Sequence, residues 1–251
     1  MSIRAKRKDT GEIVYASDCT IADVTREFLC ATPGCQAKMS LVCAGDDHDA
    51  YFRTFQVSPE HVNKSCQICS MTFDESRYDE SAFNRDSAFD WIFGKPTNRR
   101  GDSGTRTDHV GGGTGNAIRT LANMYKMCAS HRKTDTYNGV VIGDMLADDE
   151  NYEWYRTNLI GRRIVVCSYF KNIINQRLIM FNYPADYHSD HIIIAIKFSN
   201  DTDFWHYYNL FRSSDHTEPI VIAGDWERID DGGIVKYLAE FHSPRQIYIV
   251  K

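Results

Sequence analysis

Six of the eight cysteines, Cys19, Cys30, Cys35, Cys43, Cys66 and Cys69, fall within the first 70 residues, and only Cys128 and Cys167 lie beyond them. In a chain read as intracellular, such crowding points to metal before disulfides. The spacing names the ligands. Cys30-x4-Cys35 is followed by His61-x4-Cys66, and each pair brackets a turn, the first being Ala31-Thr32-Pro33-Gly34. Two such knuckles converging on one ion give the closed, four-coordinate S/N site of structural zinc. The expected ligands are Cys30, Cys35, His61 and Cys66. Cys66-x2-Cys69 is a knuckle too, so Cys69 in place of His61 is the alternative. Cys19 and Cys43 read as core or surface residues.

A second constellation concerns binding rather than metal. Arg163, Tyr169, Lys171, Arg177, Phe181, Tyr183 and Lys197 fall on three consecutive β-like segments. Aromatic rings that stack on bases, set among cations that meet phosphates, are the chemistry of single-strand recognition. Strand alternation sorts them. If Ile192, Ile194, Ile196 and Phe198 point inward, Lys197 points outward. Arg163, Tyr169 and Lys171 would share one face, as would Arg177, Phe181 and Tyr183.

The elements that must position these residues divide the chain in three. Residues 1–70 read as a small β-rich module: a hairpin over 3–16 turning at Asp9-Thr10-Gly11-Glu12, short strands near 28–30, 39–42 and 50–55, and a helical turn over 58–64. Residues 71–116 read as a linker with a short helix over 83–93, because 95–116 are rich in Gly, Arg, Asp, Thr and Ser. Residues 117–251 begin with a helix carrying Ile118, Leu121, Tyr125 and Cys128 at helical spacing, capped by Asn116. Strands follow over 140–142, 162–170, 177–183, 192–198, 219–226, 234–241 and 246–250. One helix over 203–212, capped by Asp201 or Thr202, interrupts them. From residue 161 the order is three strands, a helix, then strands, which is the order of an OB-fold barrel. The expected fold is α+β and β-rich, a small zinc-finger module joined to an OB-like β-barrel domain.

Tyr15-Ala16, Cys30, Cys35, Tyr51-Phe52-Arg53, His61 and Cys66 together resemble the N-terminal zinc-finger segment of competence protein CoiA-like proteins, over about residues 3–70. Arg53 is followed by Thr54 where that family commonly has histidine. The resemblance implies a bacterial, phage or mobile-element setting and a restriction-endonuclease-like domain downstream. Such a nuclease holds a divalent ion with a carboxylate and an acidic-x-Lys or acidic-x-Gln pair. Neither pair occurs in the chain, so nuclease activity is not expected.

Other motifs read as structure. Gly111-Gly112-Gly113-Thr114-Gly115-Asn116 lacks the lysine and the preceding strand of a P-loop. Gly101-Asp102-Ser103-Gly104 lies in polar sequence without the strands that would pin a triad. Asp148-Asp149-Glu150 reads as an exposed acidic loop, and Cys128-x2-His131 as a helix end.

Composition sets the frame. The 251 residues are 42% hydrophobic and 25% charged, enough for a packed core. A net charge of -5 means that any nucleic-acid site is a local patch. No apolar run approaches membrane-spanning length, and the basic N-terminus has no apolar stretch behind it. The expectation is a cytoplasmic, non-catalytic, zinc-containing protein that binds single-stranded or structured nucleic acid. The alternative is a module that binds or inhibits a protein partner which itself processes nucleic acid.

Overall fold

The computed structural model describes residues 4–31, 35–42, 50–54, 73, 77–95, 117–185, 190–213, 219–230 and 232–250. The chain forms two compact units. The first comprises Met1–Phe73 with Ala129–His131 and Val250–Lys251, and the second Asp74–Cys128 with Arg132–Ile249.

The first unit is built on strands β1 (Arg4–Arg7), β2 (Ile13–Tyr15), β3 (Phe28–Leu29), β4 (Lys38–Val42) and β5 (Tyr51–Thr54). They form one antiparallel sheet in the order β2-β1-β3-β4-β5. The β1–β2 turn closes through Gly11 at φ +75°, a conformation that costs glycine little. Alternation along β4 turns Met39 and Leu41 into the core and leaves Lys38 outside. They pack with Ala5, Phe28 and Phe52, whose two rings lie 4.9 Å apart. Asp23 fixes the loop before β3. Its carboxylate accepts from the Thr20 amide and hydroxyl and pairs with Arg26 and Arg7, which holds its acidity stronger than usual.

The second unit opens with α1 (Arg85–Ile92), capped by the Asn84 side chain, which accepts from the Ser87 amide at 2.9 Å. Ala88, Phe89 and Ile92 are buried, so this stretch packs as structure within the segment read as linker. Residues 96–116 lie outside the described residues. Helix α2 (Leu121–Ala129) follows, with Thr120 Oγ1 accepting from the Asn123 amide. Next come the hairpin β6 (Thr136–Tyr137) and β7 (Val140–Val141), α3 (Ile142–Met145), β8 (Leu146–Ala147) and α4 (Tyr152–Tyr155).

A closed five-stranded β-barrel is the centre of the unit. Its strands are β9 (Gly161–Ile173), β10 (Leu178–Tyr183), β11 (Ile192–Lys197), β12 (Ile220–Arg228) and β13 (Val235–Glu240), with α5 (Asp201–Ser213) between β11 and β12. Pairing runs β9-β10-β11-β13-β12 and returns to β9. β11 and β13 are parallel and the other neighbours antiparallel. Closure works because the 13-residue β9 serves two partners. Gly161–Cys167 pairs β12, and Ser168–Ile173 pairs β10. β8 adds in parallel to β9, and β14 (Ile247–Ile249) pairs β12. The path is compatible with an OB-like domain.

The interior is apolar and aromatic: Val165, Cys167, Ile179, Phe181, Ile194, Ile196, Ile222 and Trp226 among others. α5 turns Phe204, Tyr207 and Phe211 into it, and its cap is Asn200, which accepts from the Asp203 amide at 2.9 Å. The helix therefore begins earlier than residue 203. No helix among the described residues is long and apolar enough to cross a membrane.

Candidate binding surface

Alternation on β10 is set by its neighbours. Ile179 pairs with Ile196, and Phe181 with Ile194, all four inside the barrel. Phe181 and Tyr183 are thus wholly buried, and they are removed from the outward set. Burial also pushes the Tyr183 phenol far above its ordinary range. Their aromatic surface builds the core, which outweighs any benefit of display on the surface.

On β9 the alternation is broken once. Tyr169 pairs with Phe181 and Lys171 with Met180, so Phe170 is an extra residue in a bulge. The bulge reverses the faces beyond it. Tyr169 packs toward the interior, its ring stacked 5.8 Å from Phe211, while Lys171 lies outside with Nζ 5.1 Å from the Phe170 ring centre. Arg163, Tyr169 and Lys171 do not share a face, as strict alternation required.

The two arginines have local tasks. Arg163 donates to the carbonyls of Asp144 and Ile160 and lies 4.5 Å over the Tyr155 ring. Arg177 occupies the left-handed turn position before β10, at φ 51°. It pairs with Asp201 at 2.7 Å and donates to the Ser199 carbonyl. Lys197 is exposed at the end of β11, as expected.

The outer face of β10, β11 and β13 has a different character from the one expected. Met180, Ile193 and Ala195 form a cluster there with Ile173, Val235 and Leu238. Where exposed aromatic rings were expected, the side chains are aliphatic and buried.

The structure gathers exposed rings and cations elsewhere, at the seam between β9 and α5. Trp205 lies edge-on to Tyr208, ring centres 5.0 Å apart at 73°. Arg212 donates to the Tyr208 hydroxyl at 3.1 Å, with its guanidinium 5.9 Å from that ring. Both Tyr208 and Arg212 act electrostatically on Tyr169, whose hydroxyl accepts from Asn172 Nδ2 at 2.8 Å. Trp205 and Arg212 escaped notice because the helix was read only for its buried stripe. The signal lay in the same spacing: Trp205, Tyr208 and Arg212 follow at i, i+3 and i+7.

Of the metal candidates, Cys30 and Cys35 are described and His61 and Cys66 are not, nor is the alternative Cys69. Cys30 follows β3 and Cys35 precedes β4, so the pair flanks one hairpin loop, and both are buried in the core of the first unit. No group of three or more His, Cys, Asp or Glu suited to a metal ion is found among the described residues.

The acidic segment after β8 is not an exposed loop throughout. Asp148 is buried and pairs with buried Lys133 at 2.6 Å. Cys128 nearby is inert by burial, its thiol pushed up to about 12. No family model, curated protein or solved structure matches the chain.

Proposed function

We propose that the chain is a non-catalytic cytoplasmic binding protein, in which a zinc-stapled N-terminal unit accompanies an OB-like barrel that binds single-stranded or structured nucleic acid. The strand path carries this reading. Five strands close in Greek-key order with a helix between the third and fourth, and barrels of this type hold single strands against aromatic rings and cations. Exposed Lys171 and Lys197 supply charge on the first and third barrel strands. For zinc, two buried thiols at the two ends of one hairpin loop suit a soft cation, with His61 and Cys66, or Cys69, completing the set.

A protein partner is the second reading. The apolar side chains of Phe170 and Ile174, exposed at and just beyond the end of β9, favour it. Salt separates the two. Nucleic-acid affinity falls steeply with ionic strength as counterions are released, whereas apolar docking does not. The full chain should bind single-stranded DNA or RNA at about 50 mM salt, where an electrostatic site is little screened. Absorbance at 260 nm that co-purifies and washes off in high salt would agree. A folded protein that binds neither strand at low salt would retire this reading in favour of the protein partner.

A further inference from the structure

We infer that the β9–α5 seam is the base-stacking platform, and that a single strand runs along Trp205, Tyr208 and Arg212 rather than across the β10–β11 face. The inference rests on the strand-binding reading above.

Three observations carry it. Trp205 keeps 42% of its surface exposed on a helix that buries Phe204, Tyr207 and Phe211 and half-buries Tyr208. It meets Phe204 and Tyr208 at steep angles, 68° and 73°, and its exposed indole surface is what a base can stack on. Beside Tyr208, on the same helix face, Arg212 is exposed and donates to the Tyr208 hydroxyl. A guanidinium pinned next to a ring is pre-placed for the phosphate of a stacked nucleotide. Of the two acids in the first turn of α5, Asp201 is paired with Arg177 and Asp203 accepts from the Asn200 side chain, so both repel a phosphate less. Next to the seam the β9 bulge sets out Phe170, 40% exposed, with Lys171 against its ring. That supplies a second ring-and-cation pair for the continuing strand. On the β10–β11 face, Met180 and Ala195 are buried and offer neither a ring nor a guanidinium.

The experiment uses the full chain with oligo-dT and oligo-rU of equal length, titrated at several salt concentrations and followed by tryptophan fluorescence and by anisotropy of a labelled strand. Stacking on Trp205 should quench fluorescence, and Trp205→Phe should abolish most of the quench while binding largely persists. Trp205→Ala should weaken binding roughly five- to a hundredfold, the range for loss of one stacked base. Arg212→Gln should lower the slope of log affinity against log salt by about 0.7, the value for one phosphate of a single strand. Trp154→Ala, which removes another exposed indole (57%), should leave affinity unchanged. Comparison of the two oligomers tells DNA from RNA. If the parent binds and Trp205→Ala binds equally well with its melting temperature kept, the seam is overturned and strand binding lies elsewhere. If the parent binds neither oligomer, the seam and the strand-binding reading fall together.

Discussion

Lys133 and Asp148 are both removed from water, and their 2.6 Å contact is what makes that tolerable. Asp148 Oδ1 also accepts from the Glu150 amide, and the Asp148 carbonyl accepts from the Tyr183 hydroxyl. The Asn151 side chain closes the turn, accepting from the Asp148 amide and donating to the Leu146 carbonyl. Together these bonds hold the short β8 on β9. Breaking a buried pair from one side leaves a charge with no compensation, which costs about 3–5 kcal/mol. Lys133→Met should therefore lower unfolding stability by about that amount, and Lys133→Met with Asp148→Asn should recover much of it, because Asn still accepts from Glu150. Urea unfolding of both variants measures it, and equal stability of Lys133→Met and parent would contradict the role. Sequence reading placed Asp148 in a solvated loop because its partner lies 15 residues away and no local pattern announces the pair.

At the scale of elements, the order of the barrel was legible and its faces were only partly so. β-branched runs broken by turn residues mark strands, and Phe204, Tyr207 and Phe211 mark the buried stripe of α5. Ile194 and Ile196 were correctly oriented because Ala195 and the charged Lys197 mark the opposite parity of β11. Phe181 and Tyr183 were not, because an aromatic ring serves a core as well as a binding face, and only the register with Ile194 and Ile192 decides. Nor does sequence show the Phe170 bulge, which turns Lys171 away from Tyr169. Gly224 is a tight point of the barrel. A Cβ there would lie 2.6 Å from Trp226 and 2.8 Å from the Ala239 Cβ. The indole cannot swing away, since its Nε1 donates to the Arg163 carbonyl and the ring fills the interior. Overpacking of this kind costs about 1–3 kcal/mol. Gly224→Ala should lower the melting temperature and shift the emission of the buried Trp226. An unchanged melting temperature would show that the barrel yields at this strand.

At the scale of the whole molecule, the two units differ in how they can be stable. The barrel core draws all of its members, from Ala147 to Phe241, from the second unit. Among the described residues, the first unit has a short five-stranded sheet and a core of small residues and a few rings. A core of that size seldom sustains a fold without a staple. The zinc proposed above would supply one, because its binding free energy is folding free energy. The chain carries its own reporter for telling the units apart. Its four tryptophans, Trp91, Trp154, Trp205 and Trp226, all lie in the second unit. Protein purified without chelator should hold about one zinc per chain. Stripping the metal with a strong chelator should then reduce far-ultraviolet circular dichroism and open residues 4–54 to protease. Tryptophan emission, and its midpoint in urea, should stay where they were. Cys35→Ser should reproduce the stripped state without chelator, since three ligands forfeit much of the binding energy. Absence of zinc would remove the staple, and full zinc in Cys66→Ser would move the fourth ligand to another residue. Tryptophan emission that shifts together with metal loss would mean that the barrel depends on the first unit.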